Sequence, residues 1–254
     1  MGVELVSHKK LILKSVRVDD TTLQKLLSHA PNLETLSICY SYSLRHIRVG
    51  GRALKLKQFE IRNYEHKVRS IHLSDFDLES FTYVGPRIDL SFSRLRKLNK
   101  LNLGEVYLWL GDGKQCLCPN QFCEIPNVKQ LRLAFSCLKR DCLLDLAHTL
   151  NAFPSFESFK LEIHCNSSFV RKPTRNDTNP HQNLKFVEIV GYQGRNCDFE
   201  LVAYIIEIAV VLKKMVVIQT LQDCTEEITA RLYSKRVAKR LESILAQGVE
   251  LVVV

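Results

Sequence analysis

The sequence repeats one short pattern of apolar residues, in which the second lies three positions after the first and the third two positions later. Alternation at the last two positions is typical of a half-buried strand, and the first apolar residue marks the turn that leads into it. A recurring strand unit predicts a solenoid, because each unit buries its apolar side only by stacking on its neighbours. The pattern is found at Leu33-Leu36-Ile38, Leu44-Ile47-Val49, Leu56-Phe59-Ile61, Val68-Ile71-Leu73, Leu78-Phe81-Tyr83, Leu98-Leu101-Leu103, Val128-Leu131-Leu133, Phe156-Phe159-Leu161 and Leu184-Val187-Ile189.

The spacing of the pattern is that of leucine-rich repeats. Copies that begin at Leu33, Leu56 and Leu78 are separated by 23 and 22 residues, and the period of that class is about 20–29 residues. Copies that begin at Leu44 and Val68 fall near the middle of a repeat. We predict that these form strands on the convex side, opposite the main concave sheet.

Two segments between the strands predict helices. Asp20-Thr21-Thr22 is an N-cap signal followed by leucines at helical spacing, and the segment from Asp141 to Leu150 repeats that arrangement. Both segments end just before a proline, Pro31 or Pro154, which cannot extend a helix. We therefore predict an α/β fold, a leucine-rich-repeat solenoid in which a curved sheet has irregular, strand-like and helical returns.

A polar stretch, residues 166–183, separates the repeats from a segment whose pattern predicts strand, helix, strand, helix, strand. We predict that residues 1–177 form the repeat domain and residues 178–254 a small C-terminal α/β domain. In that domain, Gly191 and Gly194 are predicted to form a turn after the first strand, and Asp198 to be the N-cap of the following helix.

The composition is that of an ordinary globular protein, with 46% hydrophobic and 25% charged residues. No stretch approaches the about 18 uninterrupted apolar residues of a membrane-spanning helix, and the first residues lack the basic start and apolar core of a signal peptide. The nine cysteines, among them Cys39, are interpreted as small buried hydrophobes rather than a disulfide framework. These features favour a cytoplasmic or nuclear protein.

No arrangement of residues in the sequence predicts catalysis or cofactor binding. Cys116, Cys118 and Cys123 invite a zinc interpretation, but zinc ligands normally lie two to four residues apart and need a second pair elsewhere. His164 and Cys165 are adjacent on a predicted strand and so point to opposite faces, which excludes that imidazole as a base for that thiol. We therefore expect no catalytic, metal-binding or cofactor-binding residues, and no enzyme.

The net charge is +9, and the densest basic cluster lies in the predicted last helix. No aromatic residues interleave these charges, so a solvated helix face is the preferred interpretation. A basic-surface binder of nucleic acid or of an acidic protein is the alternative function. A truncated remnant without independent function is a third, because a solenoid needs capped ends. The cluster consists of Arg231, Lys235, Arg236, Lys239 and Arg240.

Polar residues between the last two apolar positions of a pattern are predicted to point outward, because strand side chains alternate. A row of such side chains on the concave sheet is suited to contact another protein. We expect this row to bind a target protein that the sequence does not identify. The candidate partner-binding face consists of Ser37, Glu60, Thr82, Asn102, Arg132 and Lys160.

Two stretches carry a resemblance to a known family. The run Leu184–Gly194, followed by the helical residues from Glu200 to Met215, resembles the FBD domain of plant F-box/LRR proteins. Leu78–Pro86 is similar to a repeat phrase of that family. The resemblance implies the substrate-recognition part of a Skp1–cullin–F-box ubiquitin ligase, in which the F-box helices bind the Skp1-type adaptor and the repeats capture the target.

The start of the chain departs from that family pattern. The first strand-like run, Lys10 to Val18, begins almost at Met1, where the family has its F-box helices. We therefore expect that this chain as it stands captures a target but does not bind the Skp1-type adaptor.

Overall fold

The computed structural model describes residues 7–63, 67–86, 88–104, 126–135, 150–163, 180–219 and 236–254. These residues belong to two compact units. Unit 1 holds the described residues up to 128, and unit 2 holds those from 129 to 254. Most of the predicted helix from Asp141 to Leu150, and the three cysteines between residues 116 and 123, lie outside the described residues.

Unit 1 is built on a sheet whose strands come from successive repeats. The strands are β1 (Lys10–Lys14), β2 (Thr35–Cys39), β4 (Gln58–Arg62), β6 (Ser80–Val84) and β8 (Lys100–Gly104). They are neighbours in that order, and every neighbouring pair is parallel. Each strand after β1 contains the last two apolar residues of a predicted pattern, so the predicted strand register of these repeats is confirmed.

A smaller parallel sheet is formed by the segments between those strands. It consists of β3 (His46–Gly50), β5 (Ser70–Ser74) and β7 (Asp89–Ser93). The first two are the strands predicted near the middle of a repeat. The third was not predicted, because position 87 holds arginine where the pattern requires an apolar residue.

The core of unit 1 lies between its two sheets. The Phe81 ring on β6 lies 5.9 Å from the Phe59 ring on β4 and 5.7 Å from the Phe92 ring on β7. Phe81 of the main sheet therefore packs against a residue of the small sheet across the core. The small sheet lies on the opposite side of the repeats, as predicted. In both units, every apolar residue of the predicted patterns is at most 4% exposed.

The first predicted helix is confirmed as α1 (Asp20–His29), although its cap lies one residue earlier than predicted. The Asp19 carboxylate accepts a hydrogen bond of 2.7 Å from the backbone N–H of Thr22, which satisfies one of the free N–H groups at the helix start. Hydrogen bonds from the Thr22 backbone and side chain lower the pKa of the Asp19 carboxyl. The helix ends at His29, and its C-cap, Ala30, directly precedes Pro31.

Unit 2 contains further parallel strands and, among its described residues, helices that lie between them in the chain. Its strands are β9 (Gln130–Phe135), β10 (Ser158–Ile163), β11 (Phe186–Tyr192), β12 (Lys214–Gln219) and β13 (Glu250–Val253), adjacent in that order. Helix α2 (Asn196–Ile208) joins β11 to β12, and residues 236–242 form helix α3 before β13. The predicted alternation of strands and helices in the C-terminal segment is therefore confirmed where the structure describes it.

Two local predictions in unit 2 were wrong. Gly191 lies inside β11 rather than in a turn, at a shift of register between Val190 and Tyr192. Asp198 is the third residue of α2 and not its N-cap, which is Arg195. The Asp198 side chain is 3% exposed, and its carboxylate accepts hydrogen bonds from the backbone N–H groups of Gln193 and Arg195, at 2.9 and 3.1 Å. Backbone N–H groups just before the helix are thus hydrogen-bonded by a carboxylate in its first turn.

Candidate protein-binding surface

The predicted outward residues of unit 1 form one continuous row across the main sheet. The parallel register pairs Ser37 with Glu60, Glu60 with Thr82, and Thr82 with Asn102. Ile12 on β1 pairs with Ser37 and extends the row by one strand. Sequence reasoning missed Ile12 because an isoleucine between two leucines gives no polar alternation, although it is 56% exposed.

Hydrogen bonds order part of this row. The Ser37 hydroxyl donates to the Glu60 carboxylate at 2.9 Å, and the Arg62 guanidinium contacts the other carboxylate oxygen at 2.6 Å. Ser37 is only 7% exposed, so its role is to orient Glu60 rather than to offer surface. Cys39 at the end of β2 lies on this same face and is half-buried, which corrects its interpretation as an inward apolar residue.

The two predicted residues of unit 2 also stand in one row, with partners that the sequence did not indicate. Arg132 pairs with Lys160 in the register, and Lys160 with Glu188. The Arg132 guanidinium contacts Glu162 at 2.5 Å, and the Lys160 ammonium contacts Glu188 at 2.6 Å. Two cations and two carboxylates therefore form a balanced cluster on the outward face of this sheet, not a basic patch.

The beginnings of the strands carry a second, more exposed set of ion pairs. In unit 1, Glu34 lies between Lys57 at 2.9 Å and Lys9 at 3.3 Å. The hydrogen bonds from these two lysines, Lys57 first, lower the pKa of the Glu34 carboxyl. Because these groups are exposed, their mutual attraction contributes little to stability. Glu157 is held in the same way by Lys185 and Lys129 in unit 2.

The outward face of the small sheet carries histidine–serine pairs. The imidazole Nδ1 of His46 lies 2.9 Å from the Ser70 hydroxyl, and that of His72 lies 3.0 Å from the Ser91 hydroxyl. In the part of the chain that the structure describes, no group of three or more His, Cys, Asp or Glu residues is arranged to hold a metal ion. The cysteines considered for zinc are not among those residues.

The basic helix of the alternative function is engaged within unit 2 where it is described. The Arg240 guanidinium lies 3.8 Å from the centre of the Phe199 ring on α2 and 3.4 Å from the Asn196 side chain. This stacking attaches α3 to α2 through a cation–π contact. Of the other cluster members, Arg236 and Lys239 are exposed on α3, and Arg231 and Lys235 lie outside the described residues.

A buried histidine stands just before β11. His181 is 4% exposed, its ring centre lies 4.5 Å from that of Phe156, and no described residue forms a hydrogen bond with its Nε2. Burial lowers the pKa of His181 to about 4, because a charged imidazole cannot be solvated there.

We expect the stability of the protein to fall as the pH is lowered from about 6.5 to about 4. In that window an imidazole of the unfolded chain, with its ordinary pKa near 6.5, binds a proton that the folded protein does not bind, which favours the unfolded state. Thermal melts across this range should show a weaker pH dependence for His181→Leu than for the wild type. Equal pH dependence in both proteins would show that the His181 imidazole does not cause this loss of stability.

None of the helices in the described residues has the length and apolarity needed to cross a lipid bilayer.

Comparison with known families agrees with the arrangement of both units. A model of the FBD domain matches residues 181–217, which contain β11, α2 and most of β12. A model described as the At1g61320/AtMIF1 LRR domain matches residues 2–134, more than half of the chain. The chain belongs to the At1g61320/AtMIF1 leucine-rich-repeat family. No curated protein matches it.

The family assignment confirms the predicted class of fold, leucine-rich repeats followed by an FBD segment. Both domains are interaction domains of the F-box/LRR kind, so the chain is a protein-interaction module. The FBD match begins at residue 181, close to the predicted domain boundary at 177/178, and the boundary itself stays a prediction.

Proposed function

We propose that the outward face of the repeat sheet captures a target protein, as in the substrate-recognition part of a ubiquitin ligase. The observation that carries the proposal is the row Ser37–Glu60–Thr82–Asn102, which crosses neighbouring parallel strands in one register. Strands lie about 4.8 Å apart, so the sheet from β1 to β8 is about 19 Å wide. A surface of that width accommodates an extended segment of a partner protein.

In this proposal the protein binds its target without catalysing a reaction, and it acts in the cytoplasm or nucleus. Part of the row is held by bonds, since the Glu60 carboxylate accepts from the Ser37 hydroxyl and is ion-paired with Arg62. Side chains ordered in this way present a fixed pattern of donors and acceptors, which favours selective recognition of one partner. The expectation that this chain does not bind a Skp1-type adaptor stays a prediction.

The target is to be found and tested with the full chain. A photo-crosslinking amino acid at Asn102 identifies proteins that contact the row, and the same group at Ser91, on the outward face of the small sheet, is the control. With a purified target, we expect Thr82→Arg with Asn102→Arg to weaken binding at least about tenfold, or 1.4 kcal/mol, because the long side chains block the face. Ser91→Arg should leave the affinity unchanged, and equal affinity for all three proteins would reject the proposal.

A second pair of substitutions tests the part of the face in unit 2. Charge reversal at Arg132 and Lys160 should weaken target binding, but it also sets new carboxylates against Glu162 and Glu188. The neutral variant Arg132→Gln with Lys160→Gln is therefore the sharper test, with a thermal melt to verify folding. Wild-type affinity in the folded double variant would remove unit 2 from the binding face.

A further inference from the structure

The exposed apolar side chains of unit 1 are concentrated at one place. Every large apolar side chain that is exposed in the described part of this unit lies on or just after β1 or β2. The exposed fractions are 56% for Ile12, 40% for Val16, 39% for Tyr40 and 47% for Tyr42. Isolated exposed apolar residues are common on protein surfaces, whereas a cluster of them indicates an interaction site.

Backbone contacts hold these residues near one another. The N–H of Ser15, just before Val16, donates to the carbonyl of Cys39, just before Tyr40, at 2.9 Å. The Ser41 hydroxyl, between the two tyrosines, donates to the carbonyl of Val18 at 2.9 Å. The segment after β1 and the segment after β2 are therefore adjacent, and their apolar side chains share one surface.

Tyr40 occupies a position where the turn does not require an aromatic residue. Its N–H donates to the Arg62 carbonyl on the next strand, and Ser15, Asn63 and Gly85 make the equivalent bond after β1, β4 and β6. Tyr40 has a φ of 58°, in the left-handed region that is unfavourable for a bulky side chain. Neighbouring repeats fill this position with small or turn-forming residues, so the backbone of the turn does not require a tyrosine here.

The charged side chains described around this surface are mostly basic, and the nearby Asp19 carboxylate is bonded to the Thr22 N–H at the start of α1. Lys14 and Arg17 are exposed and form no ion pair with any residue that the structure describes. The ammonium group of Lys67 lies 5.5 Å from the centre of the Tyr42 ring. The nearest carboxylate of the row, Glu60, is already bonded to Arg62 and Ser37. A partner that approaches here meets tyrosine rings edged by positive charge.

We infer that this surface is the anchor point for an acidic segment of the target protein, with an apolar or aromatic side chain packed on the tyrosines. The aromatic–basic patch consists of Ile12, Lys14, Val16, Arg17, Tyr40 and Tyr42. The inference rests on the proposed function, because the patch lies at the β1 end of the same outward row. Tyrosine and arginine are among the residue types that dominate binding energy at protein interfaces, and carboxylates on the partner complement the exposed Lys14 and Arg17 side chains.

The first experiment measures binding of fluorescent peptides to the full chain by anisotropy. The probe is a short peptide of aspartate and serine with one central phenylalanine, and the comparison peptides replace that phenylalanine with serine or the aspartates with lysine. We expect the acidic phenylalanine peptide to bind best and to bind more weakly at high salt, because exposed charges are screened. Equal binding of all three peptides would overturn the inference.

The decisive variant is Tyr40→Asn, because it removes the ring while relieving the backbone. Asparagine tolerates the left-handed conformation, so the melting temperature should be equal to or above that of the wild type while peptide affinity falls about tenfold. Tyr42→Ser, at a position without positive φ, should also weaken binding. Phe186→Asn, which removes a 47% exposed aromatic side chain in unit 2, is the matched control and should bind as the wild type does.

The outcomes separate this inference from the proposed function. If Tyr40→Asn binds the peptide and the crosslinked target as tightly as the wild type, the patch is not the anchor, even where the arginine substitutions at Thr82 and Asn102 abolish target binding. If those arginine substitutions have no effect while Tyr40→Asn does, the patch is a binding site and the row is not. An equal loss in Phe186→Asn would also overturn the inference.

Discussion

Leu101→Ala is expected to lower the free energy of unfolding by about 2–5 kcal/mol, the range for removing a fully buried leucine side chain. Leu101 is 1% exposed on β8 and lies beside Phe81 of β6 in the parallel register. The surrounding side chains cannot move in to fill the cavity, because the core is closely packed and Phe81 is fixed by its strand in the sheet. A loss of this size is a large fraction of the about 5–15 kcal/mol that stabilises a typical domain. Urea and thermal unfolding of the full chain measure it.

Asn102→Ala is the matched control for that prediction. Asn102 is the next residue on the same strand, but its side chain lies on the outward face. Surface substitutions of this kind usually change the free energy of unfolding by no more than about 0.5 kcal/mol. If the two alanine variants lost equal stability, or if Leu101→Ala lost none, the assignment of inward and outward positions would be wrong.

Gly191→Ala is expected to destabilise unit 2 by more than the about 1–3 kcal/mol that a strained backbone conformation alone costs. Gly191 has a φ of 89° inside β11. A Cβ atom at this position would lie 2.1 Å from the carbonyl oxygen of Ile163 at the end of β10. The contact is with backbone and not with a movable side chain, so β10 and β11 would have to separate there.

Gly248→Ala separates the two contributions. Gly248 has nearly the same φ, 91°, but nothing lies within 4 Å of the position that its Cβ would take. Its substitution should therefore show the backbone cost alone, and the excess loss in Gly191→Ala should report the contact with Ile163. Equal melting temperatures for the two variants would mean that the strands accommodate the methyl group without strain.

The local arrangement of the site could be predicted only in part. Alternation along a strand placed Glu60, Thr82 and Asn102 on the outward face, where the structure has them. It could not distinguish a residue that offers surface from Ser37, which is buried by its bond to Glu60. It did not indicate that Arg132 and Lys160 are paired with carboxylates, because Glu162 and Glu188 lie about 30 and 56 positions after Arg132 in the chain.

The sequence by itself determined the repeat architecture of this protein, because a strand that buries one side must place an apolar residue at every second position, and this constraint is local. The tertiary structure decided which residues that are distant in the chain contact one another. It placed Cys39 beside Ser15, 24 positions away in the chain, and it brought Gly191, at the register shift between β11 and β12, close to the Ile163 carbonyl of β10. Such contacts depend on which strands are neighbours and in which register, and no local pattern of residues contains that information.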